Sequence, residues 1–129
     1  MHLERLVIEL GWPDRRLSPN ARVFWATRSR LVKRFRRDAA YVTASVKPPV
    51  LCIVPGERIY YQLAYAPPDR RQRDEDNLEA SLKSYRDGIA DSLGVNDKLF
   101  SREGHIERLD PQRPGRIVFT FFLPVRDEV

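Results

Sequence analysis

Apolar positions along the chain follow two different periods, and the change from one to the other marks out the elements. Leu6, Ile8 and Leu10 recur at every second position, which predicts an opening strand over 3–10 that stops at Gly11-Trp12-Pro13-Asp14. The period then lengthens. Over 21–46, Phe24, Leu31, Phe35, Ala39, Val42 and Val46 share one stripe at about 100° per residue, predicting an amphipathic helix with Ser18 or Asn20 as its N-cap. Lys47-Pro48-Pro49 must end it, because consecutive prolines remove donors and clash with the preceding turn. A short β-branched run at 50–54, boxed between prolines, predicts at best a short edge strand. Ile59, Tyr61, Leu63 and Tyr65 then alternate against Tyr60, Gln62 and Ala64, the clearest strand pattern in the chain.

A second helix is predicted over 77–93, where Leu78, Leu82, Tyr85, Ile89 and Leu93 form the stripe and Gly94 supplies the left-handed residue that closes it. A short strand at 104–109 and an apolar strand at 116–123 complete the pattern. The elements predict an α+β fold, a mixed sheet of about four strands with two amphipathic helices packed on it. At 129 residues the chain is read as a single domain, 1–129.

Composition changes this picture little and charge changes it more. The chain is 42% hydrophobic and 32% charged, and no apolar run approaches the roughly 18 residues of a membrane span. Glu4, Arg5 and Glu9 interrupt any N-terminal signal core, so the expected address is cytoplasmic and no membrane partner is expected. The single cysteine, Cys52, excludes a disulfide framework within one chain and reads as a core thiol. Net charge is +5, and from Arg15 to Arg37 there are nine basic residues and no acidic one. Cations without interleaved acids repel one another, so Lys33, Arg36 and Arg37 read either as a solvated helix face or as contacts to a polyanion such as DNA.

The chemistry is concentrated in RRQRDEDN, 70–77. Asp74 and Asp76 stand two residues apart, so in an extended segment both side chains point the same way and can share one cation. Magnesium, or manganese in its place, suits such a pair and leaves positions for substrate phosphate. Arg70, Arg71 and Arg73 provide an electropositive rim that attracts phosphate, and Asp97 adds a third carboxylate if the loops at the helix ends converge. The same residues have a structural reading. Asp76 and Glu79 are spaced as a capping box, Asn96-Asp97 as an ordinary turn, and Lys83 as an i,i+4 partner of Asp87.

Together, the RDEDN run, Lys83-x-x-x-Asp87 and the Gly94-Val95-Asn96-Asp97 turn resemble the RusA family of Holliday junction resolvases, common in phages and prophages. The LSPNARVFW segment at 17–25 and the basic helix after it resemble phage members, so the likeness spans nearly the whole chain. The resemblance implies a homodimeric endonuclease that binds four-way DNA junctions in the bacterial host cell and cuts opposing strands using magnesium. It implies that Asp74, Asp76 and Asp97 are the metal-binding aspartates and Lys83 the catalytic lysine. Two positions depart from the family pattern: Ala80 stands where the lysine often lies, and Asn96 replaces the first of the usual paired aspartates. The alternative is a non-catalytic DNA-binding protein of the same fold.

Overall fold

Ten consecutive residue pairs join the two ends of the chain. In the structure, a computed structural model that describes residues 2–49 and 51–126, strand β1 (His2–Gly11) lies antiparallel to the last strand along its whole length. The helix α1 (Trp25–Val46) follows a 3-10 turn at Arg15–Leu17. Strand β2 (Ile59–Ala66) leads to helices α2 (Glu75–Ser81) and α3 (Lys83–Leu93). Short strands β3 (Phe100–Arg102) and β4 (Glu107–Arg108) precede β5 (Arg116–Val125).

The fold is α+β, and the described residues form a mixed sheet of five strands and three helices. The strand order is β1-β5-β2-β3, and β4 pairs with β2 further along the edge that carries β3. Both β1 and β2 are antiparallel to β5, so they run in the same direction and their C-terminal ends leave the same end of the sheet. That geometry brings the loop after β1 and the arginine-rich loop after β2 to one side of the molecule.

The strand period decides what is buried. Leu6, Ile8 and Leu10 of β1, Ile59, Tyr61, Leu63 and Tyr65 of β2, and Ile117, Phe119, Phe121 and Leu123 of β5 form one core face. Leu78, Leu82, Tyr85, Ile89 and Leu93 pack against it, so the stripe expected for the second helix is buried throughout. The helix itself is broken. Leu82, with φ −92° and ψ 5°, separates α2 from α3, and the Glu79 carbonyl accepts both the Leu82 N–H at 3.1 Å and the Arg86 guanidinium at 2.9 Å. Where α1 crosses α3, Gly88 leaves no space for a side chain: an added Cβ would collide with the Arg36 carbonyl oxygen and stand 2.9 Å from the Ala39 Cβ.

Several expected boundaries move. Helix α1 begins at Trp25 rather than near residue 21, with Phe24 rather than Ser18 or Asn20 at its N-cap, and no side chain caps it. Its stripe is buried only in the middle, because Phe24 and Val46 at its two ends are exposed. The strand expected at 50–54 reduces to a bridge between Leu51 and Val125, Val50 lying outside the described residues, and Cys52 is half-buried. β3 is unforeseen. No helix among the described residues is long and apolar enough to cross a membrane.

Candidate functional site

The end of the sheet where β1 and β2 finish carries a cleft of about 890 Å³. Its walls come from the loop after β1 (Trp12, Arg15, Arg16), the loop after β2 (Arg71, Arg73, Asp74) and one side of α2 (Asn77, Ser81). A smaller cavity of about 400 Å³ adjoins it through Gln72, Arg73 and Asp74, and is also lined by Tyr65, Glu75, Asp76 and Arg108.

Asp74 is the N-cap of α2: its Oδ1 accepts the Asn77 N–H at 3.1 Å, which fixes the carboxylate at the positive end of the helix. The expected capping box of Asp76 with Glu79 is absent, because Asp74 takes the N-cap and Asp76 lies inside the first turn, while Glu79 pairs with Arg102 at 2.8 Å. Asp76 is thereby released. It is exposed in the first turn of α2 and has no hydrogen-bond or ion-pair partner among the described residues.

The arginines around these carboxylates divide into held and free. Arg73 is held: its side chain is 13% exposed, donates to Asp69 at 2.9 Å and to the Arg71 carbonyl at 3.0 Å, and lies 5.6 Å from the Trp12 ring centroid. Such anchoring pre-sets a cation at the cleft wall at little further entropic cost. Arg71 is far more exposed and only loosely paired with Asp69 at 3.4 Å, and Arg70 has no carboxylate partner among the described residues. Arg16 closes on Asp14 through two bonds of 3.0 and 2.8 Å, and that guanidinium holds the Asp14 carboxyl down to about 2.

Arg108, Tyr65, Trp12 and Asp69 belong to the site without having been singled out in the sequence. Arg108 crosses from β4 to donate to the Arg71 carbonyl at 3.0 Å and lies 5.8 Å from the Tyr65 ring centroid. Tyr65 donates to Glu75 at 2.9 Å, and burial, helped by that carboxylate, raises its phenol above the ordinary value. Only the inward alternation of Tyr65 hinted at a position near the site. Nothing local to Arg108 did, because its place depends on β4 pairing with Ala64 and Tyr65 of β2.

The three aspartates expected to meet in one cluster do not. Asp97, at the start of a 3-10 turn after α3, accepts from the Lys83 ammonium at 3.3 Å, and the same ammonium donates to Asp87 at 3.1 Å. Burial tends to raise the Asp97 carboxyl, but the Lys83 ammonium outweighs it and holds the group below its ordinary value. Asp97 lines a separate cavity with Arg36, Asp87 and Asp91. The reason is length. Asp76 and Asp87 are eleven positions apart along α2 and α3, which for collinear helices is on the order of 16 Å of rise. Lys83 accordingly bridges Asp87 and Asp97 and bonds to neither Asp74 nor Asp76.

Arg36 is likewise redirected. It makes a two-pronged bond to Asp91 at 2.6 and 2.8 Å, tying α1 to α3, whereas Lys33 and Arg37 remain exposed without a carboxylate partner among the described residues. Among the described residues no group of three or more His, Cys, Asp or Glu side chains is arranged to hold a metal ion. The extended segment that would point Asp74 and Asp76 the same way is replaced by the start of α2, so what the two keep in common is the cavity that both line. Magnesium takes one or two protein carboxylates and completes its shell with water and substrate phosphate, and of the two Asp76 is uncommitted and Asp74 has one oxygen used.

No family model matches the chain. Over 113 residues the chain is 38% identical to an uncharacterized protein of Xylella fastidiosa, a match covering 88% of this chain and 73% of that protein.

Proposed function

The chain belongs to one family with this Xylella fastidiosa protein, and from the geometry of the cleft we propose that it is a divalent-metal-dependent endodeoxyribonuclease of the RusA type, acting on four-way DNA junctions. The observation that carries the reading is Asp76, an unpaired carboxylate beside Asp74 in a cavity whose other charged walls include Arg73 and Arg108. An uncommitted anion among arginines is unfavourable for polyanion binding unless it serves something else, and a cation is the usual reason.

The division of labour follows from the anchoring. Arg73 and Arg108, both held at the Arg71 carbonyl, contact the phosphates that flank the scissile bond, while Arg70 and Arg71 and the exposed cations of α1 follow the backbone further out. Asp74 and Asp76 would hold magnesium, which when bound acidifies water and screens charge on the phosphate. Asp97 and Lys83 lie outside that cleft, where the Lys83 ammonium reaches along α3 to Asp87 and Asp97. The protein works as a homodimer, matching the two-fold symmetry of a junction. The uncovered face of the sheet supports this, with Leu3 66% and Val7 47% exposed beside Tyr60.

One specific observation favours the second reading, a DNA-binding protein without cleavage: the third aspartate is engaged by Lys83 instead of closing on the pair. A single experiment separates the two. Asp76→Asn keeps the size of the side chain and removes its charge, so in metal-free buffer it should retain or improve junction affinity in gel shifts. Cleavage of a synthetic junction in magnesium should fall at least about a hundredfold. A folded variant that cuts at the wild-type rate sinks the nuclease assignment to Asp76. Wild-type protein that binds the junction and never cuts it selects the second reading.

A further inference from the structure

Phe24 and Trp25 are 67% and 75% exposed, adjacent in sequence and with ring centroids 5.7 Å apart. Neither joins the core, and Phe24 occupies a helix N-cap where Ser, Thr, Asp or Asn would stabilise the helix. Two large aromatics held in water at the start of a helix call for a contact made with something else. Their surroundings restrict what that is. Arg28 clasps the start of α1 to the 3-10 turn, donating to the Arg16, Leu17 and Ser18 carbonyls at 3.1, 3.3 and 3.4 Å. Arg15 and Arg16 of that turn line the cleft that contains Asp74, so Arg28 ties the helix end that carries the aromatic pair to a turn of the cleft wall. Arg15 and Arg22 nearby have no carboxylate partner among the described residues, and the first turn of α1 holds no acid. An apolar protein surface would have to desolvate these cations, whereas a nucleic acid supplies phosphate for them and a flat base for the rings.

We infer that Phe24 and Trp25 are a stacking platform for exposed nucleobases, so that the protein prefers DNA with unpaired or open-ended strands over continuous duplex. The inference rests on the DNA-binding reading above and adds the part of the substrate that is recognised. Inside a duplex both faces of each base pair are covered by neighbours, and only branch points, ends and single strands offer a free π-face. The platform therefore discriminates by structure without reading sequence.

The test uses full-length protein, wild type and Phe24→Ala/Trp25→Ala, with two probes at one salt concentration: oligothymidylate of about twenty nucleotides, and a duplex closed by hairpins at both ends. The double variant should lose about tenfold or more in affinity for the single strand and stay within about twofold for the closed duplex. Its melting temperature should be unchanged. Oligothymidylate should also quench tryptophan fluorescence in the wild type, and the quenching should shrink in Trp25→Phe, which separates Trp25 from Trp12. Equal losses on both probes, or none, overturn the platform. A change in sedimenting mass on substitution overturns it too, by making the pair a contact between copies. If the wild type binds neither probe, the DNA-binding reading itself fails along with it.

Discussion

Asp14 and Arg16 illustrate how one pair at the cleft mouth converts geometry into pH dependence. The Arg16 guanidinium and the Arg16 backbone N–H both donate to the Asp14 carboxylate, at 2.8 to 3.0 Å, and lower its pKa from 3.8 to about 2. A depressed carboxyl contributes stability that is fully present above its unfolded pKa and is lost as pH falls through the folded one. The contribution of this pair should thus persist above about pH 4 and disappear towards pH 2. In Arg16→Ala, carboxyl titration followed by NMR should return Asp14 most of the way to 3.8, and the acid limb of the melting curve should become shallower between those values. A carboxyl that still titrates near 2 would mean that the backbone N–H, not the guanidinium, holds it.

The helices carry two separate kinds of charge. On α1, Arg36 belongs to the helix–helix contact with Asp91, while Lys33 and Arg37 face solvent. If α1 lies along DNA, replacing Lys33 and Arg37 with alanine should flatten the log–log salt dependence of binding by roughly 0.9 for each phosphate no longer neutralised. Arg36→Ala should instead leave that slope nearly unchanged and cost about 0.5 kcal/mol of stability, as expected of a partly exposed ion pair. A greater flattening from Arg36 than from Lys33 would reverse this division. The same crossing depends on Gly88. Gly88→Ala drives a methyl into the Arg36 backbone, which cannot yield as a flexible side chain would, so the cost should reach about 3 kcal/mol, or roughly 10 °C in Tm. A melt within a degree or two of wild type would show that the helices slide apart freely.

At the scale of the molecule, the sheet is covered by helices on one face, and among the described residues no helix covers the other. Leu3, Arg5, Val7 and Glu9 of β1 share that second face with Val118, Thr120 and Phe122 of β5 and Tyr60 of β2. Arg5 and Glu9, the latter paired with Arg116 at 3.0 Å, flank Val7 on this face, and a second copy turned through a two-fold axis can cover the apolar residues between them. Val7→Glu should therefore convert a dimer to a monomer in sedimentation experiments and leave the monomer folded, since Val7 contributes nothing to the core. A dimer that survives this change uses another surface.

The local patterns of the sequence determined the elements, because alternation at period two and period 3.6 states which side of an element must avoid water. The opening strand, the 59–66 strand, the buried stripe from Leu78 to Leu93 and the final strand are all present as that argument requires. The charge pattern likewise marked the RRQRDEDN loop as the place where arginines and carboxylates meet. What only the tertiary structure decided was which charges find each other across the chain. Asp91 takes Arg36 from a helix fifty-five residues away, Arg102 takes Glu79 from its expected cap, and Asp97, carried to the other end of α3, finds Lys83 instead of Asp74 and Asp76. Arg108 reaches the cleft because β4 pairs beside Tyr65. Such pairings depend on sheet order and helix length, and long flexible side chains reveal neither in their own sequence neighbourhood.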